Sequence, residues 1–241
     1  MADSFYAPGS QRAPRVQDLF ARVAARYDLL NDLQSLGFHR YWKRLVVRLA
    51  KPRAGERVLD LCSGTGDIAF AFSRYELEVT GLDFSPAMLE RAVFRALSAN
   101  PRNGDRPPRF VRADAQRLPF ADDSFDIVTI GYGLRNLASW ENGLNEMRRV
   151  AKPGGRLLLL EFGKPDNRVW RVLYLTYLKI FVPLLGRIFC GDAKAYAYIL
   201  ESLTHYPSRQ TVATKMQNIG LRDVRVINLL GGAMTIHCAE K

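Results

Sequence analysis

The chain has 241 residues, 48% hydrophobic and 24% charged, with 35 Lys+Arg against 24 Asp+Glu for a net charge of +11. This excludes a disordered chain and suits one well-buried α/β domain with an added lobe rather than two independent domains. The basic residues are scattered, which excludes a basic tail and leaves a basic, solvated surface. The three distant cysteines, Cys62, Cys190 and Cys238, show no CxxC spacing and fit a reducing compartment.

The first 15 residues read as a loose arm without the apolar run of a secretory signal. Val16–Tyr27 and His39–Ala50 have helical spacing, and Asp28–Phe38, with its Asn, Ser and Gly, reads as the link between them. Short apolar runs then alternate with helical stretches. Strands are predicted at Arg57–Leu61, Glu78–Asp83, Arg109–Asp114, Phe125–Tyr132 and Gly155–Phe162; a helix begins over Ile68–Arg74, and Pro86–Ser98 and Trp140–Val150 read as helices. Such alternation implies a parallel sheet built from βαβ units. Residues 166–206 break the rhythm with aromatic, helical patterning and read as a lid over the ligand edge. Within them Val169–Phe189 is apolar, yet Arg171, Lys179, Pro183 and Arg187 interrupt it, so no transmembrane span is expected. Ser208–Ile219 reads as a helix, and Asp223–Leu230 and Ala233–Glu240 as strands joined by Gly231-Gly232, so the sheet should end on one antiparallel strand. The chain is read as a single domain: arm and helices over 1–50, a core over 51–165, the lid over 166–206, and a closing helix and strands over 207–241.

Four segments converge on one ligand edge. In VLDLCSGTGD, Val58–Asp67, a strand carrying Asp60 runs into Ser63-Gly64-Thr65-Gly66 and then a helix; glycine lets the backbone turn sharply and approach a ligand. No Lys-Ser/Thr pair follows, so this is not a P-loop. Asp83, 19 residues after Gly64 at the next strand end, can accept two hydrogen bonds from a ribose diol. Asp114-Ala115 offers a carboxylate and a backbone N–H to an adenine edge, and the absent side chain of Gly131 leaves room. Open α/β sheets bind ligands at such strand ends. Gly64–Ala69 also satisfies the dinucleotide pattern G-x-G-x-x-G/A. Against it stands Asp67, which at a helix N-terminus would repel a pyrophosphate but tolerates the ammonium and sulfonium of S-adenosylmethionine. Capping and turn formation are the structural alternative for each Asp.

VLDLCSGTGD, GLDFS and ADAQRLPF resemble the class I methyltransferases, whose sheet is Rossmann-like. YDLLNDLQSLGFHRYWKR at Tyr27–Arg44, GLRN at Gly133–Asn136, RRVAKPGGRLLLLEF at Arg148–Phe162 and YAYILESLTHYP at Tyr196–Pro207 are more specific, and resemble the C-methyltransferases of menaquinone and ubiquinone biosynthesis. The resemblance implies methyl transfer to a ring carbon of a polyprenyl quinol, with Thr65, Asp83 and Asp114-Ala115 on the cofactor. This chain departs from the family's pattern at Gly131 and Gly163, where Ser is usual, and at Gln34, where an aliphatic residue is usual.

A quinol carbon becomes nucleophilic when a hydroxyl loses its proton, so the protein must align partners, exclude water and assist deprotonation. Arg135 and Asn136, just past the fourth strand, are the expected catalytic pair. Arg135 would stabilise the phenolate and is a poor direct base; its alternative is a structural salt bridge. Tyr27 is a further catalytic candidate, and Tyr27 and His39 could orient the hydroxyl. His39, His205 and His237 lack ligand spacing, so no metal is expected. In the lid, Arg168, Arg171 and Lys179 share one helix face, while Val169, Trp170, Leu173, Tyr174, Tyr177, Ile180 and Phe181 spread over the rest. That pattern suits an isoprenoid-binding lid, a membrane-surface helix or a core helix. The expected substrate is demethylmenaquinol, ahead of a ubiquinone-pathway benzoquinol, another hydrophobic acceptor, or a non-catalytic cofactor-binding role. An anionic membrane surface and a second copy in a homodimer are carried as partners, at the cytoplasmic side. Nucleic acid is not expected, for want of an NPPY-type motif or an aromatic-basic repeat.

Overall fold

The computed structural model describes residues 12–98, 106–190 and 194–241. Among them, seven strands form one sheet: β1 Arg57–Leu61, β2 Glu78–Asp83, β3 Arg109–Arg112, β4 Phe125–Gly131, β5 Ala151–Phe162, β6 Arg222–Leu229 and β7 Met234–Glu240. Their order is β3-β2-β1-β4-β5-β7-β6. β1 to β5 pair in parallel; β6 and β7 form the antiparallel pair that the Gly-Gly connection predicted, and β7 slots between β5 and β6, leaving β6 at the edge.

Successive side chains of a strand point to opposite faces, so each strand feeds two layers. Leu59, Leu61, Val128, Ile130, Leu157 and Leu159 pack on one face, under α6 (Trp140–Val150) and α9 (Arg209–Asn218). Val58, Ile127, Leu158 and Leu160 pack on the other, under α3 (Phe38–Ala50) and α4 (Asp67–Phe72). Ser139 and Ser208 cap α6 and α9, each hydroxyl accepting a backbone N–H of the first turn. α5, Pro86–Ser98, lies beside β2 and β3.

A third apolar cluster stands away from the sheet. It joins α1 (Arg12–Val23) and α2 (Tyr27–Ser35) to α7 (Arg168–Cys190) and α8 (Lys194–His205) through Leu19, Val23, Leu30, Tyr174, Leu178, Val182, Tyr198, Ile199 and Leu203. The N-terminal helices and the inserted lid thus build one cap, with Met88 and Ala233 at its base.

Three expectations change. The helix begins at Arg12, so only residues 1–11 of the expected arm lie outside the described residues. The link Asp28–Phe38 is instead mostly α2: Leu30 is buried in the cap, and the Gln34 amide and Ser35 hydroxyl satisfy Asn31 within the helix. α7 runs unbroken past Pro183, which removes one backbone donor without ending the helix. Its segment Arg168–Ile188 is long and apolar enough to cross a membrane by length and composition. Its Tyr174, Leu178 and Val182 form an inward stripe, however, while Val169, Val172, Leu173, Ile180, Phe181, Leu184 and Ile188 face outward.

Candidate active site

The turn after β1 is left-handed at Cys62, Gly64 and Gly66, with φ of 51°, 55° and 89°. Asp83, at the end of β2, locks it: its carboxylate accepts the N–H of Gly64 at 2.8 Å and of Ser85 at 2.9 Å. Burial pushes the Asp83 pKa up, partly offset by those N–H groups. A carboxylate has about four acceptor positions, so a diol can still bind. Past β3, Asp114 accepts the backbone N–H of Gln116 at 2.9 Å, and Gln116 accepts the N–H of Ser139 at 2.8 Å. Gly64, Asp83, Asp114, Ala115, Gly131 and Asn136 line one cleft at the strand ends.

Asp60, Thr65 and Gly66 do not line that cleft. Asp60 is buried under the sheet, accepts from the Thr129 hydroxyl at 2.8 Å, and is pushed up to about 7 by burial. The Thr65 hydroxyl donates to Asp28 of α2 at 2.8 Å. A Cβ on Gly66 would meet Phe110 at 2.8 Å, so this glycine serves packing. Gly131 does border the cleft, but the space of its missing side chain is filled by Ile68, whose Cδ1 would lie 2.6 Å from a Cβ there. Asp67 is also corrected: it faces Lys43 at 2.7 Å and Arg95 at 2.9 Å, which neutralise it. Its charge therefore serves a clamp of Asp28, Asp67, Lys43 and Arg95 that holds α2, α3 and α5 on the glycine turn, not discrimination among cofactors.

A larger cavity of about 500 Å³ opens behind the cleft, inside the cap, with a mainly apolar and aromatic lining. Phe20, Tyr27 and Tyr132 line both spaces and form the wall they share. Burial raises the Tyr27 hydroxyl to about 12, so at neutral pH it is a donor rather than a base. Tyr132, left-handed at φ 60°, buries a hydroxyl that has no hydrogen-bond partner among the described residues. Leu36, Phe38, Trp170, Leu173 and Leu230 line the cavity and are exposed, Leu36 by 84%, so they form an apolar rim.

Arg135 lines the larger cavity with 5% exposure, held by Glu161, itself 1% exposed, at 2.5 Å and by the Tyr132 carbonyl at 2.7 Å. The salt bridge weighed in the sequence is therefore present, and the pair supports the wall. Glu161 keeps the Arg135 pKa raised despite burial, which excludes Arg135 as a base. Asn136 donates to the Tyr132 carbonyl at 3.1 Å and accepts the Tyr198 hydroxyl, tying the GLRN turn to α8. Sequence reasoning missed Glu161 as this partner; its signal was the single charge ending a leucine-rich strand. It also missed Gln116, Lys43 and Arg95, which carried no local signal.

Solved structures share this fold. A SAM-dependent methyltransferase of Thermotoga maritima matches with a TM-score of 0.65 at 17% identity, over 93% of this chain and 99% of that one. One from Aquifex aeolicus matches with a TM-score of 0.57 at 17% identity, over 82% and 88%. The fold and cleft define a class I S-adenosylmethionine-dependent methyltransferase. A family model described as the ubiE/COQ5 methyltransferase family matches residues 9–241, and the chain belongs to that family. Relatives named ubiquinone/menaquinone biosynthesis C-methyltransferase UbiE include those of Azotobacter vinelandii, 42% identical over 95% of this chain and 91% of that protein, and Pseudomonas fluorescens SBW25, 42% identical over 95% and 90%. The chain is accordingly an S-adenosylmethionine-dependent C-methyltransferase of quinone biosynthesis.

Proposed function

We propose that the chain methylates a ring carbon of a polyprenyl quinol, with demethylmenaquinol as its substrate. The observation that carries this reading is the shared wall: an apolar, aromatic-lined cavity meets the strand-end cleft at Phe20, Tyr27 and Tyr132. A flat aromatic ring in the larger cavity then reaches a group held in the cleft. Asp83 binds the ribose diol, Asp114 and the Ala115 N–H the adenine edge, and Gly64 brings backbone close, with nothing nearer than 3.9 Å beyond its Cα. When bound, S-adenosylmethionine supplies a methyl group activated by positive sulfur. Tyr27 and Tyr132 border both ligands at the shared wall, and the Arg135–Glu161 pair and Asn136 hold that wall against α8.

The apolar rim supports an isoprenoid tail leaving the cavity across Leu36, Trp170 and Leu230. It also supports docking on an anionic membrane surface, where the outward face of α7 enters the interface beside Arg168, Arg171 and Lys179. The choice of naphthoquinol rests on the family resemblance. A radiolabelled methyl-transfer assay with short-chain demethylmenaquinol and the corresponding demethylated benzoquinol tests it. Faster turnover of the naphthoquinol is expected; turnover of the benzoquinol alone reassigns the substrate, and turnover of neither removes the quinol reading.

A further inference from the structure

The proton that must leave the quinol has one plausible destination among the described residues, at the joint between α2 and α3. There Leu36 and Gly37 are both left-handed, with φ of 50° and 77°, and the chain reverses within two residues. The reversal brings Asp32 to His39, with Nε2 of the imidazole 2.8 Å from Oδ1 of the carboxylate. Arg40 donates to the same carboxylate through Nε at 2.6 Å and Nη2 at 2.5 Å, which holds Asp32 ionised with its pKa down to about 2. An ionised carboxylate only accepts, so the His39 proton sits on Nε2 and Nδ1 keeps its lone pair.

That Nδ1 is buried and, among the described residues, has no hydrogen-bond partner, although His39 lines the larger cavity. An unsatisfied buried acceptor is destabilising, and a bound hydroxyl would relieve it. The charged groups around the ring are Asp32 on α2, Lys43 on α3 and Asp67 on α4; burial and Lys43 outweigh the carboxylates and hold the imidazole pKa below its ordinary value, so the ring is neutral at neutral pH. The other titratable groups lining the cavity are unsuited as bases. Tyr27, Tyr132, Tyr174 and Tyr177 have raised pKa values, Tyr198 is engaged with Asn136, and Arg135 is a cation.

We propose that His39, oriented by Asp32, is the base that accepts the quinol hydroxyl proton; this rests on the quinol reading above. The O–H bond breaks and an N–H bond forms at Nδ1, leaving the electron pair on oxygen in conjugation with the ring. The ring carbon then bonds to the methyl carbon while the methyl–sulfur bond breaks, its electron pair remaining on sulfur. The methylated carbon loses its own proton to water as the oxygen recovers the proton from His39. The products are methylated quinol, S-adenosylhomocysteine and one proton, with His39 neutral again.

The test compares wild type, His39→Ala, His39→Gln and Asp32→Asn with short-chain demethylmenaquinol. General-base catalysis contributes about 10²–10⁴-fold, so both His39 variants should lose kcat by that factor. Their affinity for S-adenosylhomocysteine, measured by calorimetry, should stay at the wild-type value. Added imidazole should restore part of the rate to His39→Ala but not to His39→Gln. In wild type kcat should fall at acid pH as the ring takes up a proton, and this limb should be missing from the His39 variants. Asp32→Asn should lower kcat while keeping the limb at a shifted pH. Nitrogen-15 histidine NMR of wild type should show the Nε2–H tautomer, with the Nδ1 signal moving when quinol is added. Retention of kcat in His39→Ala, an unchanged acid limb without imidazole rescue, or an Nδ1–H tautomer overturns the assignment. A wild type that methylates no quinol instead removes the quinol reading, and the assignment with it.

Discussion

Asp83 does two things with one carboxylate: it ties the N–H groups of Gly64 and Ser85 together, and it faces the cleft. Hydrogen bonds to a charged group are worth about 1.5–3 kcal/mol each, so losing two to a ribose diol should weaken cofactor binding by about a hundredfold or more. Calorimetry of Asp83→Ala with S-adenosylhomocysteine checks this, and wild-type affinity would refute the placement. Gly163 makes a different case. A Cβ there would lie 2.3 Å from the Gly232 carbonyl oxygen, so the backbone of β5's exit and the β6–β7 connection touch. Overpacking of this kind costs about 1–3 kcal/mol, and Gly163→Ser should lower the urea midpoint accordingly. The strand-end residues Asp83, Asp114 and Gly131 were legible because their spacing to the strands is local. Thr65 with Asp28 and Arg135 with Glu161 join residues 37 and 26 apart, and no local pattern encodes such pairs.

At the scale of elements, β2, α5 and α6 have the bounds that apolar periodicity marks out. Asp28–Phe38 was not legible, because Asn, Ser and Gly favour turns until burial of Leu30 against the cap outweighs that local preference. α7 was legible only in part. Its inward stripe behaves as core, as one reading held, while its outward face stays apolar and exposed. Ile180 and Phe181 are exposed and do not line the cavity, so Ile180→Asp with Phe181→Asp should leave turnover of a short-chain quinol unchanged. The same pair should reduce flotation with vesicles containing anionic lipid, and added salt should weaken the wild-type interaction as it screens the basic residues. Undiminished flotation would rule out α7 as the docking face.

For the whole molecule, the alternation of strands and helices made the sheet legible, whereas the cap was not. Its two halves, α1–α2 and α7–α8, are separated by the entire cofactor-binding core in sequence, and only folding brings them together. The larger cavity exists because of that meeting, which is why several residues of the strand-end cleft could be marked out in the sequence while most of the cavity's lining could not.

The position of β7 between β5 and β6 has a consequence for synthesis on the ribosome. β5 ends at Phe162 and its outer neighbour begins only at Met234, while β6 emerges earlier and, among the described residues, pairs with β7 alone. At about 5–20 residues per second, the open edge of β5 waits several seconds for the intervening chain to be made. During that interval the nascent sheet presents unpaired backbone groups to its surroundings, a ready template for pairing with other chains. β7, made after the other six strands of this sheet, therefore also seals the sheet's interior against aggregation.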